Sequence, residues 1–319
     1  MDSPLNIIVC IPVTEEQRRR MVQACPGANL VFSHTPAAQE LAAAQVVVGH
    51  LSPERLSAGA PRLRWFQCDF AGVDRYTAPG ALPPQVLITN ARGAYGLAIA
   101  EHMLAGTLAL MKRLDQYHRN QLEHVWRDEG SVTSLEGAQV LLLGTGDIGG
   151  SYARMVRALG SRVTGVRFHR CPKPDWLDGQ YTMEALDGLL PLADVVALAL
   201  PGTPQTRGVM DARRLGLLKK PGALLVNGGR GTAVVTDALC AALQHGTLGG
   251  AFLDVTDPEP LPPGHPLWDC PRALVTPHIA GYYHLPQTVE RIAELCIRNL
   301  GAYCSGRPLE NLVDRTLGY

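Results

Sequence analysis

The stretch Val140-Leu141-Leu142-Leu143-Gly144-Thr145-Gly146-Asp147-Ile148-Gly149-Gly150 constrains this chain more than any other. Four aliphatic residues in a row, with no polar alternation, read as a strand buried on both faces. They run directly into Gly-x-Gly-x-x-Gly, and residues 151–159 beyond it carry helical spacing that stops at Gly160. A second β-rich run, Arg162-Val163-Thr164-Gly165-Val166, completes a strand, turn, helix and strand within the ~30 residues that such a unit takes. In that setting the glycines have separate tasks. Gly144 makes the tight turn, Gly146 lets a pyrophosphate approach the backbone, and Gly149 lets the helix pack on the strand. Asp147 and Ile148 open a helix whose N-terminus favours phosphate charge. The unit predicts a dinucleotide site.

A chain of 319 residues exceeds what one hydrophobic core usually spans, so two domains are expected. The 29 basic and 29 acidic residues cancel, which leaves no electrostatic footprint for nucleic acid or an anionic membrane. The eight cysteines form no Cys-x-x-Cys pair and no metal-ligand spacing with histidine. They read as small apolar thiols in a reducing compartment, with no metal site. The start of the chain lacks the basic flank of a secretion signal, and the weakly polar residues 97–111 are interrupted by Glu101 and His102 and too short to span a bilayer. A cytoplasmic protein is expected.

Ahead of the glycine loop, β-rich runs at 6–13, 30–33, 45–49, 63–68 and 86–90 alternate with helical or loop segments, the pattern of a parallel sheet with crossover connections. The turn Phe70-Ala71-Gly72-Val73-Asp74 follows the fourth run, where free backbone N–H groups can face an anion; a plain turn fits the local residues equally well. Residues 97–113 predict a long helix, with Leu97, Ala100, Leu104, Leu108 and Met111 along one stripe, and a polar arm follows it to about residue 130. Beyond the dinucleotide unit lie further strands at 194–200, 223–227, 250–254 and 273–276, six in all with the first two. A last helix at 285–300 returns the chain to its first part. The expected fold class is α/β, with two Rossmann-like, doubly wound parallel-sheet domains and a cleft between them. The first is discontinuous and flavodoxin-like, residues 1–95 plus 285–319, and takes the substrate; the second, 96–284, binds the dinucleotide.

Three loops at strand ends of the second domain each carry an unusual polar residue. Asn227-Gly228-Gly229-Arg230-Gly231 brackets one arginine, whose paired donors suit a carboxylate and a polarised carbonyl. Asp254-Val255-Thr256-Asp257-Pro258-Glu259-Pro260 is a proline-stiffened acidic loop, and Thr276-Pro277-His278-Ile279-Ala280-Gly281 presents one histidine. A carboxylate beside an imidazole favours its protonated form and fixes its tautomer, which suits a proton donor near neutral pH.

Together with Ala71-Gly72-Val73-Asp74, Ala100-Glu101-His102 and Leu200-Pro201-Gly202-Thr203 followed by Thr206-Arg207, these motifs span nearly the whole chain. The chain resembles the D-isomer-specific 2-hydroxyacid dehydrogenase family, and within it the glyoxylate/hydroxypyruvate reductase branch. The resemblance implies hydride transfer from a nicotinamide to the carbonyl carbon of a small 2-oxo acid. It implies that His278 is the proton donor, that Glu259 orients it, and that Arg230 binds carboxylate and carbonyl. It places the substrate carboxylate on the backbone N–H groups of Ala71, Gly72 and Val73. It gives Asp254 a contact with the nicotinamide carboxamide, lets Pro201 line the adenine pocket, and brings Thr206 of the same motif into the cofactor site. A homodimer through residues 97–130 is also implied.

One departure bears on the cofactor. NAD-specific members carry an acid where the second strand of the dinucleotide unit ends, whereas this chain reads Val166-Arg167-Phe168-His169-Arg170. Arg167 and Arg170, with His169, would pair with a 2′-phosphate, so NADP is expected to be preferred, with NAD possible. Asp147 beside the expected pyrophosphate must turn outward. The rival reading is a non-catalytic dinucleotide-sensing corepressor, since one fold hosts both. Formate dehydrogenase is disfavoured because that branch carries glutamine where Glu259 stands.

Overall fold

Short aliphatic runs, most of them buried at every position, build two parallel sheets. The computed structural model describes residues 4–218 and 222–318, and the chain divides into two compact units, Met1–Tyr95 with Leu285–Tyr319 and Gly96–His284.

In the first unit β1 (Asn6–Val9), β2 (Asn29–Phe32), β3 (Val46–Val48), β4 (Trp65–Gln67) and β5 (Leu87–Thr89) are all parallel, in the order β2-β1-β3-β4-β5. This is the flavodoxin-like order, and its direction of winding reverses between β1 and β3. Ile8, Val47, Phe66 and Ile88 belong to one buried cluster on one face. A buried polar chain ties the sheet to the helix Pro286–Cys304: Trp65 Nε1 donates to Thr89 Oγ1, Thr89 Oγ1 donates to Gln67 Oε1, and Asn299 Nδ2 donates to the same Gln67 oxygen at 2.7 Å. Every polar group in that chain has a partner, as burial requires. Cys25 and Cys304 form a disulfide with Cα atoms 5.5 Å apart, joining the N-terminal and C-terminal segments of the unit across 279 residues of sequence. That corrects the expectation of eight free thiols. No local spacing could reveal the pair, because it is created by the helix Glu15–Ala24 packing on the helix Pro286–Cys304.

The second unit holds seven parallel strands: β6 (Gln139–Leu143), β7 (Arg162–Arg167), β8 (Gly179–Thr182), β9 (Val195–Leu198), β10 (Leu224–Asn227), β11 (Gly250–Leu253) and β12 (Ala273–Val275). Their order is β12-β11-β10-β9-β6-β7-β8. The sequence reading counted six. It missed β8, Gly-Gln-Tyr-Thr, an edge strand with no aliphatic residue to signal it. Leu141, Leu143, Val196, Leu198 and Leu225 enter one core cluster, while Val140, Leu142, Val195, Ala197, Leu224 and Val226 enter the other. The sheet is thus covered on both faces, which is why these strands read as unbroken apolar runs.

The long helix runs Gly96–Met111, and the polar arm beyond it contains a second helix, Leu114–Leu122, after a break at Arg113 with φ 57°. The buried residues of the first helix are Gly96, Ala100, Met103, Gly106, Thr107, Leu110 and Met111; of the expected stripe Ala100 and Met111 are buried, whereas Leu97, Leu104 and Leu108 are only half-buried. The small residues set the buried face: Gly106 packs directly against the Phe252 ring, so the helix turns its narrow side to the sheet. Among the described residues no helix is long and apolar enough to cross a membrane.

Candidate active site

Because all seven strands of the second unit are parallel, the loops after them leave from one edge of the sheet, and winding reverses between β6 and β9. Ligands of such sheets bind outside the carboxyl ends of the strands at this reversal. The glycine loop follows β6 there. Gly144 has φ 94°, and a Cβ on it would collide with the Ala199 carbonyl. A Cβ on Gly149 would collide with the Gly144 carbonyl, whereas one on Gly146 would meet no atom within 4 Å. Turn, open approach and close packing fall on the three glycines as the motif requires. Gly146 is the N-cap of the helix Asp147–Ala158 and makes no side-chain cap, so the first N–H groups, of Asp147 and Ile148 onward, are left for an outside acceptor. These residues fit the pyrophosphate of a dinucleotide. The Asp147 carboxylate lies against Gly96 at the start of the helix Gly96–Met111, where its charge also suits a helix N-terminus.

At the end of β7 Arg167 is half-buried, its Nη1 against the Cys171 sulfur, and Gln180 Nε2 on β8 donates 2.7 Å to the Cys171 carbonyl. His169 and Arg170 are exposed on the turn beyond. In the loop after β9 Pro201 is half-buried and its carbonyl accepts the Thr206 hydroxyl at 2.7 Å. Thr206 itself is fully buried, and its oxygen also accepts the Thr203 N–H at 2.9 Å. Its hydroxyl shapes the loop that was expected to line the cofactor site.

The loop after β10 is fastened by Asn227, whose Oδ1 accepts the Gly229 N–H at 3.0 Å and whose Nδ2 donates to the Arg230 carbonyl at 2.9 Å. Arg230 is half-buried and its Nη1 donates to the Gly229 carbonyl. A Cβ on Gly231 would overlap the Thr256 carbonyl, so only glycine lets the loops after β10 and β11 touch. In the β11 loop Thr236 Oγ1 holds the Asp257 carbonyl at 2.5 Å and Thr256 Oγ1 the Pro258 carbonyl at 2.9 Å. From this loop Glu259 reaches the β12 loop, its Oε1 2.5 Å from His278 Nδ1. The two side chains are 42% and 40% exposed, so the pair is open to a ligand. With Nδ1 on the carboxylate, Nε2 is the ring nitrogen left to exchange a proton.

His278 has φ 54°, unusual for a residue with a side chain. Asp254 supplies the constraint. It is 3% exposed, its carbonyl accepts the His278 N–H at 2.8 Å, and its carboxylate accepts Thr276 Oγ1 at 2.6 Å, Ile279 N–H at 3.0 Å and Ala280 N–H at 3.1 Å. His102 Nε2 lies 2.9 Å from Thr276 Oγ1 and 3.5 Å from the same carboxylate. Burial alone would raise the Asp254 carboxyl pKa; the hydrogen bonds from His102, Thr276, Ile279 and Ala280 outweigh it and hold the group below its ordinary value. Asp254 was expected as a cofactor contact, and the structure shows it knotting the His278 loop. His102 and Thr276 lay in motifs the sequence reading quoted but were given no role, because only the fold brings strand end and helix together.

In the first unit the loop after β4 is held by its carbonyls. Tyr95 Oη donates to the Asp69 carbonyl at 2.7 Å, the Ala91 N–H to that of Phe70 at 2.9 Å, and Asn90 Nδ2 to that of Ala71 at 2.8 Å. No hydrogen bond among the described residues uses the N–H groups of Ala71, Gly72 or Val73. A run of tied-back carbonyls with free N–H groups is an anion-binding backbone.

Comparison with known proteins identifies the family and the fold. Residues 104–280, more than half of the chain, match the family described as D-isomer specific 2-hydroxyacid dehydrogenase, NAD binding domain. Glyoxylate/hydroxypyruvate reductase A of Serratia proteamaculans (strain 568) is 33% identical over 280 residues, covering 84% of this chain and 85% of that protein. A D-isomer specific 2-hydroxyacid dehydrogenase family protein from Aeromonas salmonicida subsp. salmonicida A449 superposes with TM-score 0.84 at 31% identity, over 98% of this chain and all of its own. The NADPH-dependent glyoxylate/hydroxypyruvate reductase of Sinorhizobium meliloti, solved with NADP and sulfate, gives TM-score 0.82 at 29% identity over the full length of both chains. The chain therefore belongs to the D-isomer-specific 2-hydroxyacid dehydrogenase family, in its glyoxylate/hydroxypyruvate reductase-like branch, and is an NAD(P)-dependent oxidoreductase acting on 2-oxo and 2-hydroxy acids.

Proposed function

We propose that this enzyme reduces glyoxylate, hydroxypyruvate or a 2-oxo acid of similar size to the D-2-hydroxy acid, with NADP preferred over NAD. The observation that carries the reading is the Glu259–His278 pair at 2.5 Å, open to solvent at the edge of the sheet where the glycine loop and the Arg230 loop also emerge. The bound nicotinamide supplies the hydride. His278 gives the proton from Nε2 to the oxygen that was the carbonyl, and Glu259 holds Nδ1 so that the ring keeps that orientation. Arg230 binds the substrate carboxylate and polarises the carbonyl oxygen, stabilising charge that is largest in the transition state. The N–H groups of Ala71, Gly72 and Val73, free of other partners among the described residues, are the backbone anion site of the first unit and take a substrate carboxylate in this reading.

The preference for NADP rests on Arg167, His169 and Arg170 at the end of β7, where no acid stands to repel a 2′-phosphate. The Sinorhizobium meliloti enzyme, solved with NADP, supports it. A homodimer is supported by the end of the helix Leu114–Leu122 and the arm after it, where Leu122 is 70% exposed and Trp126 entirely so.

The test is purified protein with glyoxylate or hydroxypyruvate, following reduced-nicotinamide absorbance with NADPH and NADH in parallel, beside His278→Ala and Arg230→Ala. Turnover preferring NADPH and lost in both variants is expected. Tight cofactor binding with no turnover across a broad panel of 2-oxo acids would return the protein to the dinucleotide-sensing reading.

A further inference from the structure

The Cys25–Cys304 disulfide takes no part in the reaction proposed above and lies wholly within the first unit. Its two sulfurs have opposite surroundings. Cys25 caps the C-terminal end of the helix Glu15–Ala24 and is 1% exposed, whereas Cys304 ends the helix Pro286–Cys304 and is exposed. A nucleophile from solvent therefore reaches the bond from the Cys304 side.

Cys304 also lines an open recess of about 540 Å³, together with Gln23, Arg298, Ser305 and Arg307, and no carboxylate lines it. The two arginines are not equivalent. Arg298 is held by the Glu310 carboxylate at 2.7 and 3.1 Å, which neutralises its charge. Arg307 donates from Nε to the Ser305 hydroxyl at 2.9 Å, and among the described residues no carboxylate pairs with it. Its guanidinium is the cation that the recess offers to an anion.

We infer that Cys304 is a site of covalent modification by small acidic thiols, reached by exchange with the Cys25–Cys304 bond. The thiolate of the small molecule attacks Cys304 Sγ and forms the new S–S bond. The old bond breaks, and its electron pair leaves on Cys25 Sγ, which takes a proton from solvent. The small thiol is thereby oxidised into a mixed disulfide, and Cys25 is reduced to a thiol. The Cys25 sulfur lies 3.3 Å from the Leu300 carbonyl oxygen, an acceptor in place for the released S–H. Arg307 attracts the carboxylate of the incoming molecule and so sets the class of thiol that is taken. Along the same two helices Gln17 Nε2 donates to Glu290 at 2.8 Å and Arg20 pairs with Glu294, so the helices stay joined when the bond opens.

The test uses Cys25→Ser and Cys304→Ser, in which a mixed disulfide has no neighbouring thiol to displace it. Each protein is treated with oxidised glutathione, which carries carboxylates, or with cystamine, which carries amines, and adduct formation is followed by intact mass. Cys25→Ser is expected to take one glutathione on Cys304, and Cys304→Ser to take none on the buried Cys25. Adding Arg307→Gln to Cys25→Ser is expected to slow the glutathione reaction roughly two- to fivefold, the scale of one exposed ion pair, without slowing that of cystamine. Should either serine variant fail to fold, the wild type opened with reduced glutathione and capped with N-ethylmaleimide gives the same reading: glutathione on Cys304 and maleimide on Cys25. Equal labelling of the two serine variants, or glutathione found on Cys25, overturns the assignment of the site. A glutathione rate unchanged by Arg307→Gln overturns the preference for acidic thiols, and a wild type isolated under oxidising conditions with both thiols free overturns the exchange step.

Discussion

The backbone N–H of His278 donates to the carbonyl oxygen of Asp254 at 2.8 Å while His278 holds φ 54°. The same Asp254 accepts the next two N–H groups of the loop, Ile279 and Ala280, on its side-chain carboxylate. One buried residue on β11's loop thus dictates three successive peptide orientations on the loop after β12. A left-handed residue persists only when its surroundings over-determine it, and here they do so at the residue proposed to carry the proton.

Asp254→Asn is expected to lower kcat more than it raises KM, because the amide can keep only part of the network and His278 loses its orientation. Hydrogen bonds to a charged group are worth about 1.5–3 kcal/mol each, so a melting temperature lower by several degrees should accompany the loss. The pH dependence follows from the lowered carboxyl pKa of the folded protein. The stabilisation is fully present above the unfolded value of about 3.9 and disappears as pH falls through the folded value. Melting curves from neutral pH down to pH ~2 should show the wild-type advantage over Asp254→Asn shrinking only below about pH 4. An advantage that stays constant through that window would remove the carboxylate from the account.

Gly146→Ala and Gly149→Ala should behave differently although both lie in one motif. The space around Gly146 accommodates a Cβ, so its variant should fold with an unchanged melting temperature and bind NADPH at least tenfold more weakly, because the methyl stands where the pyrophosphate approaches. The Cβ of Gly149→Ala meets the Gly144 carbonyl, so that variant should lose stability first. Cofactor titration and thermal melting of the two proteins separate the cases.

The sheets were legible because residues 140–143 and 195–198 have no polar position, and the glycine loop because each glycine answers a different steric demand. Arg230 and His278 stood out because each is the single arginine or histidine of a loop that follows a strand, whereas Glu259 shares its loop with Asp254 and Asp257 and was singled out only by the family resemblance. The knot behind His278 was not. His102 is 174 residues from Thr276, and nothing in Ala100-Glu101-His102 says which way a helical histidine faces. The strand β8 escaped for a different reason: an edge strand half open to water needs no aliphatic run, so Gly179–Thr182 carries none.

His278→Ala is expected to lower kcat by about 10²–10⁴, the usual contribution of a placed proton donor. Glu259→Gln should lose less, because the amide oxygen can still accept from Nδ1 and hold the ring. Steady-state kinetics on hydroxypyruvate ranks them. A Glu259→Gln variant as inactive as His278→Ala would mean that the carboxylate does more than orient.

The Cys25–Cys304 bond predicts that reducing agent weakens the first unit. Cross-linking residues 279 apart removes much of the unfolded chain's freedom, and removing a native disulfide costs typically about 2–4 kcal/mol. Cys25→Ser with Cys304→Ser should melt at the temperature of the reduced wild type and be indifferent to dithiothreitol. Peptide mapping without reduction should recover the two cysteines in one fragment pair, and free thiols at both positions would remove the cross-link from the fold.

Cofactor choice makes the last prediction. Arg170 is exposed beyond β7, whereas the Arg167 guanidinium is turned against the Cys171 sulfur with its Nε buried and bonded to no described group. An arginine so placed keeps its charge near the strand end but has little freedom to leave it. Arg167→Ala should therefore cost more than Arg170→Ala in kcat/KM for NADPH, by about tenfold or more for one charge-assisted contact, while NADH kinetics stay nearly unchanged. The double variant should approach equal use of the two cofactors. Raising the salt concentration should weaken NADPH binding in the wild type and much less in the double variant, since a 2′-phosphate held by arginines on a partly exposed turn is screened. If NADPH and NADH affinities fall together in Arg167→Ala, the residue supports the end of the strand and the discrimination lies elsewhere.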